Sequence, residues 1–170
     1  MVHDLDGMAF VDAVEKFKAR RRSFYLDPER WDGSRVDTDL DWQVLKFEPG
    51  NRDHVPEERG VYAFVVKREN GHFPPHGYIM YIGITGHQAA QRTLRKRFGD
   101  YLREKNKNKR PRVHFMLNRY ESDLYFFFVP IDENVDLAKL EIDLNDAIVP
   151  PVGRKDFSAS IKALRDALND

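Results

Sequence analysis

Gly60-Val61-Tyr62-Ala63-Phe64-Val65-Val66 and Tyr78-Ile79-Met80-Tyr81-Ile82-Gly83-Ile84 decide the fold. Both runs are short, apolar and rich in β-branched and aromatic residues, so both read as strands. The connection from Arg68 to Gly77 contains two Pro and reads as a loop. An antiparallel pair with an enlarged connection is the expected unit. By strand parity Tyr62 shares a face with Phe64 and Val66, and Tyr81 shares one with Ile79 and Gly83. Two phenols can then meet across one sheet face. Gly83 is expected to leave a bare patch beside Tyr81 where a ligand backbone could approach.

A basic helix follows, containing Leu94-Arg95-Lys96-Arg97-Phe98. At about 100° per residue, Leu94, Phe98, Tyr101 and Leu102 form its apolar stripe. Arg97 lies on one edge of that stripe and Arg95 on the other, and the wheel alone does not separate them. Further on, Asp136 can cap a helix from Leu137 to Ile148 with a stripe of Leu137, Leu140, Leu144, Ala147 and Ile148. Glu141 lies along the edge of that stripe, while Asp143 and Asp146 face outward. Pro150 and Pro151 stop this helix at Val149.

Gly60-Val61-Tyr62 followed by Tyr81-Ile82-Gly83 resembles the signature of the GIY-YIG nuclease family, with Val61 as a conservative variant in the first tripeptide. Two further elements follow in the family's order. Leu94, Arg97, Phe98 and Tyr101 fit the frame in which the family carries its catalytic arginine, which selects Arg97 over Arg95. Glu141, with Pro150 nine residues later, matches the family's glutamate helix and the proline after it. The resemblance spans about residues 55 to 157. It implies that Tyr62, Tyr81, Arg97 and Glu141 form a catalytic site with one divalent metal, Mg²⁺ or Mn²⁺, on Glu141. One position departs from the pattern, because the family's supporting asparagine, three residues after the proline, is here Gly153. Arg154, Lys155 or Asn145 could substitute, and Asn145, one turn after Glu141, is the best-placed amide.

A length of 170 residues suits one domain with an extension. The reading divides the chain into an N-terminal helical extension at 1–50, a GIY-YIG-like domain at 51–157 and a C-terminal helix at 158–170 packing on it. Hydrophobic residues at 41% and charged residues at 33% are those of a soluble globular protein. No apolar run approaches the roughly 20 residues of a membrane span, and no signal-peptide core precedes the domain. No membrane partner and a cytoplasmic location are therefore expected. The absence of cysteine excludes a disulfide framework, a thiol nucleophile and thiolate-bound zinc.

Basic and acidic residues balance at 28 each, yet their distribution is uneven. From Arg92 to Arg119 eleven Lys or Arg face two acids, Asp100 and Glu104. Arg92, Lys96, Arg103, Lys105, Lys107, Lys109 and Arg110 are the expected nucleic-acid contacts of this stretch. Glu104 to Arg112 lacks apolar periodicity and reads as a mobile loop. Val113 to Leu117 reads as a strand or a short helix, and Leu124 to Ile131 as a buried strand.

Residues 1 to 7 read as polar and loose. Met8 to Tyr25 reads as a helix with Phe10, Val14 and Phe17 on one face and Lys18, Arg20, Arg21 and Arg22 at its end. That cluster either complements the helix dipole or makes a second phosphate contact. Trp42 to Phe47 fits one extra strand, and Phe157 to Leu168 a last helix with Ile161, Leu164 and Leu168 inward. His72 and His76, separated by Phe73-Pro74-Pro75, cannot share a helical metal site. His87 can reach a phosphate, and His114 reads as structural.

Phosphodiester hydrolysis needs an in-line nucleophile, stabilised charge on the phosphoryl oxygens and help for the departing oxygen. Arg97 fits the second need as a permanently charged bidentate donor. Glu141 fits the third by holding a hard divalent cation. A tyrosine serves as general base only if its pKa falls well below about 10. The sequence thus leads to an α/β (α+β) domain with a small, mainly antiparallel sheet flanked by helices, acting as a metal-dependent endonuclease on DNA. A catalytically weak module that binds nucleic acid or a protein through the same face is the alternative, and RNA cleavage a third.

Overall fold

The computed structural model describes residues 7–34, 36, 38–68, 74–89 and 91–168. The N-terminal residues 1–6 and the part of the 68–77 loop that carries His72 lie outside the described residues. The elements are α1 (Gly7–Lys18), α2 (Pro28–Asp32), β1 (Gln43–Lys46), β2 (Gly60–Val66), β3 (Tyr78–Thr85), α3 (Leu94–Glu104), α4 (Pro111–Arg119), β4 (Leu124–Pro130), α5 (Leu137–Ile148) and α6 (Ala159–Ala167). Short 3-10 turns occupy Pro49–His54 and Glu121–Asp123. The strands form one sheet in the order β1-β4-β2-β3, with every neighbouring pair antiparallel. The protein is a small α+β fold of the kind its sequence pattern indicates, and the extra strand read at 42–47 is β1.

β2 lies inside the sheet, and six of its seven residues are buried. Tyr62 and Phe64 pack into a core with Leu94, Phe98 and Tyr101 of α3 and Val113, Met116 and Leu117 of α4. Val61, Ala63 and Val65 pack into a second core with Leu137 and Leu140 of α5. Covering both sheet faces explains why this strand is a continuous apolar run and not an alternating one.

One parity expectation is corrected. Phe64 pairs with Tyr81 but Val65 pairs with Ile79, so Met80 is the extra residue of a β-bulge. Past the bulge the alternation resets. Met80 and Tyr81 both turn to the α3 side, while Ile79 packs on the α5 side.

Local sequence sets the helix ends. Thr93 Oγ1 accepts from Lys96 N at 3.3 Å to start α3, and Asp136 accepts from Ala138 N and Lys139 N at 3.0 and 3.1 Å to start α5. Pro111 at the first turn makes the 111–119 segment a helix, settling the strand-or-helix ambiguity. α5 ends on Val149 in the left-handed region at φ 50°, ψ 60°, immediately before Pro150.

Two helices are shorter than their sequence patterns suggest. α1 stops at Lys18 and buries none of its residues, so Phe10 and Phe17 remain exposed. The closely spaced cations Lys18, Arg20, Arg21 and Arg22 repel one another in any continuation of that helix. α6 begins after Ser158, whose hydroxyl caps it, and only Ile161 turns inward. Leu164 and Leu168 are 55% and 60% exposed, against the expectation that all three face the core.

The structure also separates Arg95 from Arg97. Arg95 Nε donates to Val55 O at 2.7 Å, Nη2 to Asp53 O at 3.1 Å and Nη1 to Glu57 Oε1 at 2.9 Å. These bonds tie α3 to the segment entering β2. Arg95→Met is expected to lower the unfolding free energy by about 1.5–3 kcal/mol in urea titration, with an unchanged m-value, because charge-assisted bonds to carbonyl groups are lost.

Candidate active site

Tyr62 projects from β2 into the α3-side core with no exposed surface. Its hydroxyl lies 2.9 Å from Tyr101 Oη and accepts a hydrogen bond from Arg97 Nε at 2.9 Å. Tyr81 enters from the neighbouring strand with its ring centre 6.3 Å from that of Tyr62. The guanidinium of Arg97 lies 5.2 Å from the Tyr101 ring centre and 5.9 Å from that of Tyr62. Residues 97 and 101 share one helix face because they are one turn apart. The two expected tyrosines and the expected arginine therefore form one cluster.

Gly83 has a different use from the bare ligand patch expected of it. A Cβ at this position would lie 2.5 Å from Tyr62 Oη and 2.8 Å from its Cζ. The space is filled by Tyr62 itself. The missing side chain is what lets the phenol cross the sheet face to reach Arg97.

Glu141 approaches the same region from the open edge of β3. Its Oε1 accepts from Ile84 N at 3.2 Å, an amide on the side of the strand that has no partner strand. Nearby, Val152 N donates to Met80 O at 3.0 Å. α5 and the segment after it thus cover the sheet edge that would otherwise be exposed. Burial pushes the Glu141 carboxyl up to about 7, and the charge of Asp156 adds to the rise, against the Ile84 amide and the Arg97 charge. Burial also raises Tyr62 and Tyr81, and the neighbouring Tyr101 adds to both. Neither phenol is ready to lose its proton in this arrangement.

Asp156, Tyr101 and Arg110 belong to the cluster although the motif reading gave them no role there. Tyr101 had a signal in its one-turn spacing from Arg97. Arg110, whose guanidinium stacks 4.8 Å from the Tyr101 ring centre, arrives from the loop between α3 and α4. Asp156 lies in an irregular segment and carries no sequence pattern. Asn145 is 1% exposed and donates through Nδ2 to Glu141 O at 2.8 Å, so it supports the backbone of the glutamate and not its carboxylate. A Cβ at Gly153 would lie 3.6 Å from Asn145 Oδ1 and 3.5 Å from Phe157 Cζ, ordinary contacts. Asp146, read as outward, accepts from Ser158 N at 3.0 Å and links α5 to α6.

Arg110 apart, the remaining basic residues flank this cluster without entering it. Arg92, Lys96, Lys107 and Lys109 are exposed, and Lys96 Nζ donates to Gln91 O at 2.8 Å. Arg103 pairs with Asp100. Lys105 Nζ lies 2.6 Å from Glu121 Oε1, with its side chain 17% exposed. Arg110 N donates to Glu104 Oε1 at 2.8 Å, and its Nε is 3.8 Å from Glu104 Oε2. His114 Nδ1 contacts Glu104 O at 3.3 Å, a structural role.

Compared with protein-family models, with curated proteins and with solved structures, the chain matches none. No helix among the described residues is long and apolar enough to cross a membrane.

The oxygen donors present suit a hard divalent cation of the kind that takes one or two carboxylates and keeps its waters. Glu141 and Asp156 repel each other through a poorly solvated region, and a cation between like charges relieves that repulsion. Among the described residues no group of three or more His, Cys, Asp or Glu side chains gathers as a metal-ligand set, and Glu141 with Asp156 supplies two carboxylates at most. Because burial raises the folded pKa of Glu141 above 4.5, its favourable contribution is complete below about pH 4.5 and is lost as the pH rises through 7. Glu141→Gln keeps an oxygen for the Ile84 amide but carries no charge. It is expected to melt above the parent protein at about pH 8 and equally at about pH 4.5. Adding Mg²⁺ at about pH 8 should raise the melting temperature of the parent only. Calorimetry with and without the ion checks both statements.

Proposed function

We propose that this protein is a metal-dependent endonuclease of GIY-YIG type that hydrolyses phosphodiester bonds in DNA. The observation that carries the reading is the convergence of Tyr62, Tyr81, Arg97 and Glu141, from β2, β3, α3 and α5, on one place at the end of a basic stretch. The resemblance and the geometry are independent supports, because nothing in strand parity or helix periodicity requires four distant residues to meet.

In the proposed reaction Arg97 neutralises charge that grows on the phosphoryl oxygens. Its Nε is held by Tyr62, so the guanidinium plane is fixed before substrate arrives and little reorganisation is needed. Its Nη1 lies 4.0 Å from Asp100 Oδ2, beyond hydrogen-bond distance, and the side chain is 24% exposed. The phenols of Tyr62 and Tyr81 orient the arginine and the attacking water as neutral hydrogen-bonding groups. Glu141 would hold Mg²⁺ or Mn²⁺, and the ion would supply activation of water and stabilisation of the leaving oxygen. The exposed cations Arg92, Lys96, Lys107 and Lys109 hold the phosphate backbone on either side.

The upward shift of both phenols favours a second reading, in which the same face binds nucleic acid or a protein partner and does not cut. Incubating purified protein with supercoiled and single-stranded DNA, and with RNA, in Mg²⁺ or chelator separates them. Mg²⁺-dependent nicking is expected, reduced about 10²- to 10³-fold in Arg97→Ala. It should vanish in Glu141→Gln and persist in Asp143→Asn, whose carboxylate pairs with Lys139 on the far side of the helix. Binding that requires Arg97 without cleavage under any divalent ion would establish the binding module instead.

Since Glu141 must be ionised to hold the cation, the rate at limiting Mg²⁺ is expected to rise with pH through about 7. Saturating Mg²⁺ should move that rise to lower pH, because the ion favours the charged carboxylate. A pH profile at two ion concentrations reads the shift directly.

A further inference from the structure

A cavity of about 450 Å³ lies at the β3 bulge, where Met80 meets the segment after α5, and Glu141 is not among its lining residues. Its floor is apolar, made by Met80, Phe115, Met116, Val149 and Val152. Its described rim carries four arginines, Arg21, Arg22, Arg112 and Arg165, and no acidic residue. They come from three separate parts of the chain: the segment after α1, the first turn of α4, and α6.

Two of these guanidiniums are held in place. Arg165 Nη1 donates to Gly153 O at 2.8 Å, with its guanidinium 4.7 Å from the Phe157 ring centre. Arg22 Nη1 donates to Ala19 O at 3.1 Å, with its guanidinium 4.7 Å from the Phe115 ring centre. Arg22 Nη1 also donates to Arg21 O, so in both residues the carbonyl bonds use Nη1 alone and leave the Nε and Nη2 donors of the five N–H groups for an anion. Arg112 Nη1 also lies 3.4 Å from Pro151 O. Four like charges around one concavity repel one another, and an anion in the middle converts that repulsion into attraction at distances within the roughly 8 Å screening length of physiological salt. Fixing the cations beforehand lowers the entropy lost on binding.

The size and the two-part lining select the ligand. A volume of about 450 Å³ falls in the range of small-molecule sites, which run from about 300 to 1,000 Å³. Bare phosphate would leave the apolar floor unused, and a neutral aromatic compound would leave Arg22 and Arg165 held only by carbonyls and rings. We propose that this cavity binds one nucleoside phosphate, its base against Phe115, which is 40% exposed, and its phosphate among the arginines. The nucleotide is either free or an unpaired residue at the end of a strand. The proposal does not require the nuclease reading.

The test is calorimetric titration of the full chain with AMP, adenosine and inorganic phosphate, beside anisotropy with a short labelled single strand. AMP is expected to bind, with adenosine and phosphate each weaker by roughly tenfold or more. Arg22→Ala and Arg165→Ala should each weaken AMP about ten- to a hundredfold, as loss of a charge-assisted bond does. If the nucleotide must belong to a strand, AMP stays silent while the single strand binds and shows the same two losses. Arg165 also supports α6, so melting curves accompany both variants, and Arg22→Ala alone decides if Arg165→Ala unfolds. Indifference of AMP and strand to Arg22→Ala, phosphate binding as tightly as AMP, or no binding of any probe overturns the proposal. Glu141→Gln should leave AMP binding intact while removing cleavage, which keeps failure of this site distinct from failure of the nuclease.

Discussion

The hydroxyl of Tyr62 is the constraint on which the site and much of the core depend. A phenol with no solvent contact must find partners inside the protein, because a buried hydroxyl left unpaired costs about 1–3 kcal/mol. It finds them in Tyr101 and Arg97, both on α3. Pairing therefore fixes the rotation of α3 against the sheet. Gly83 supplies the space that the ring needs, and Phe126, stacked at 5.4 Å between ring centres, holds it from β4. The same side chain thus belongs to the aromatic core and to the candidate site. Substitutions there affect stability and chemistry together, and only melting data beside activity data separate the two.

The edge of β3 presents the complementary problem. An edge strand exposes amide and carbonyl groups that can recruit another chain. Here Glu141 takes the Ile84 amide and Val152 takes the Met80 carbonyl, so the segment that seals the edge also delivers a carboxylate. Delivery into a poorly solvated place beside Asp156 leaves Glu141 with a pKa of about 7. Closing the sheet and poising the carboxylate are one structural event. The bulge at Met80 contributes to both, since it turns Met80 and Tyr81 to the same side.

Charge behaves in the same local way. The chain is neutral in sum, and several cations of the basic stretch are matched by carboxylates, Lys105 by Glu121 and Arg103 by Asp100. Arg22 and Arg165 at the cavity rim instead bond to backbone carbonyls and stack on rings. Carbonyl partners hold a guanidinium without cancelling its charge. The distinction between neutralised and merely positioned cations is invisible in a residue count.

Local sequence alone settles the strands at Gly60 and Tyr78, the cap at Asp136 and the stop before Pro150. Each follows from local chemistry: β-branched runs, side-chain oxygens beside free amides, and a ring that cannot donate a hydrogen bond. It also singled out Tyr62, Tyr81, Arg97 and Glu141, because a spaced set of tripeptides and helix positions can be read along the chain. Tertiary structure alone decided what each of these touches. Register resets at a bulge, so the side on which Ile79 lies depends on pairing and not on counting. Arg95 and Arg97 occupy opposite edges of one helix, and only the positions of the Val55 carbonyl and the Tyr62 hydroxyl give one a structural role and place the other in the cluster. Asp156 was not legible because it lies in an irregular segment, and of the cavity rim only the Arg21 and Arg22 cluster stood out along the chain, because Arg112 and Arg165 join it from helices far apart in sequence. Long-range packing brings them together, and local periodicity carries no record of it.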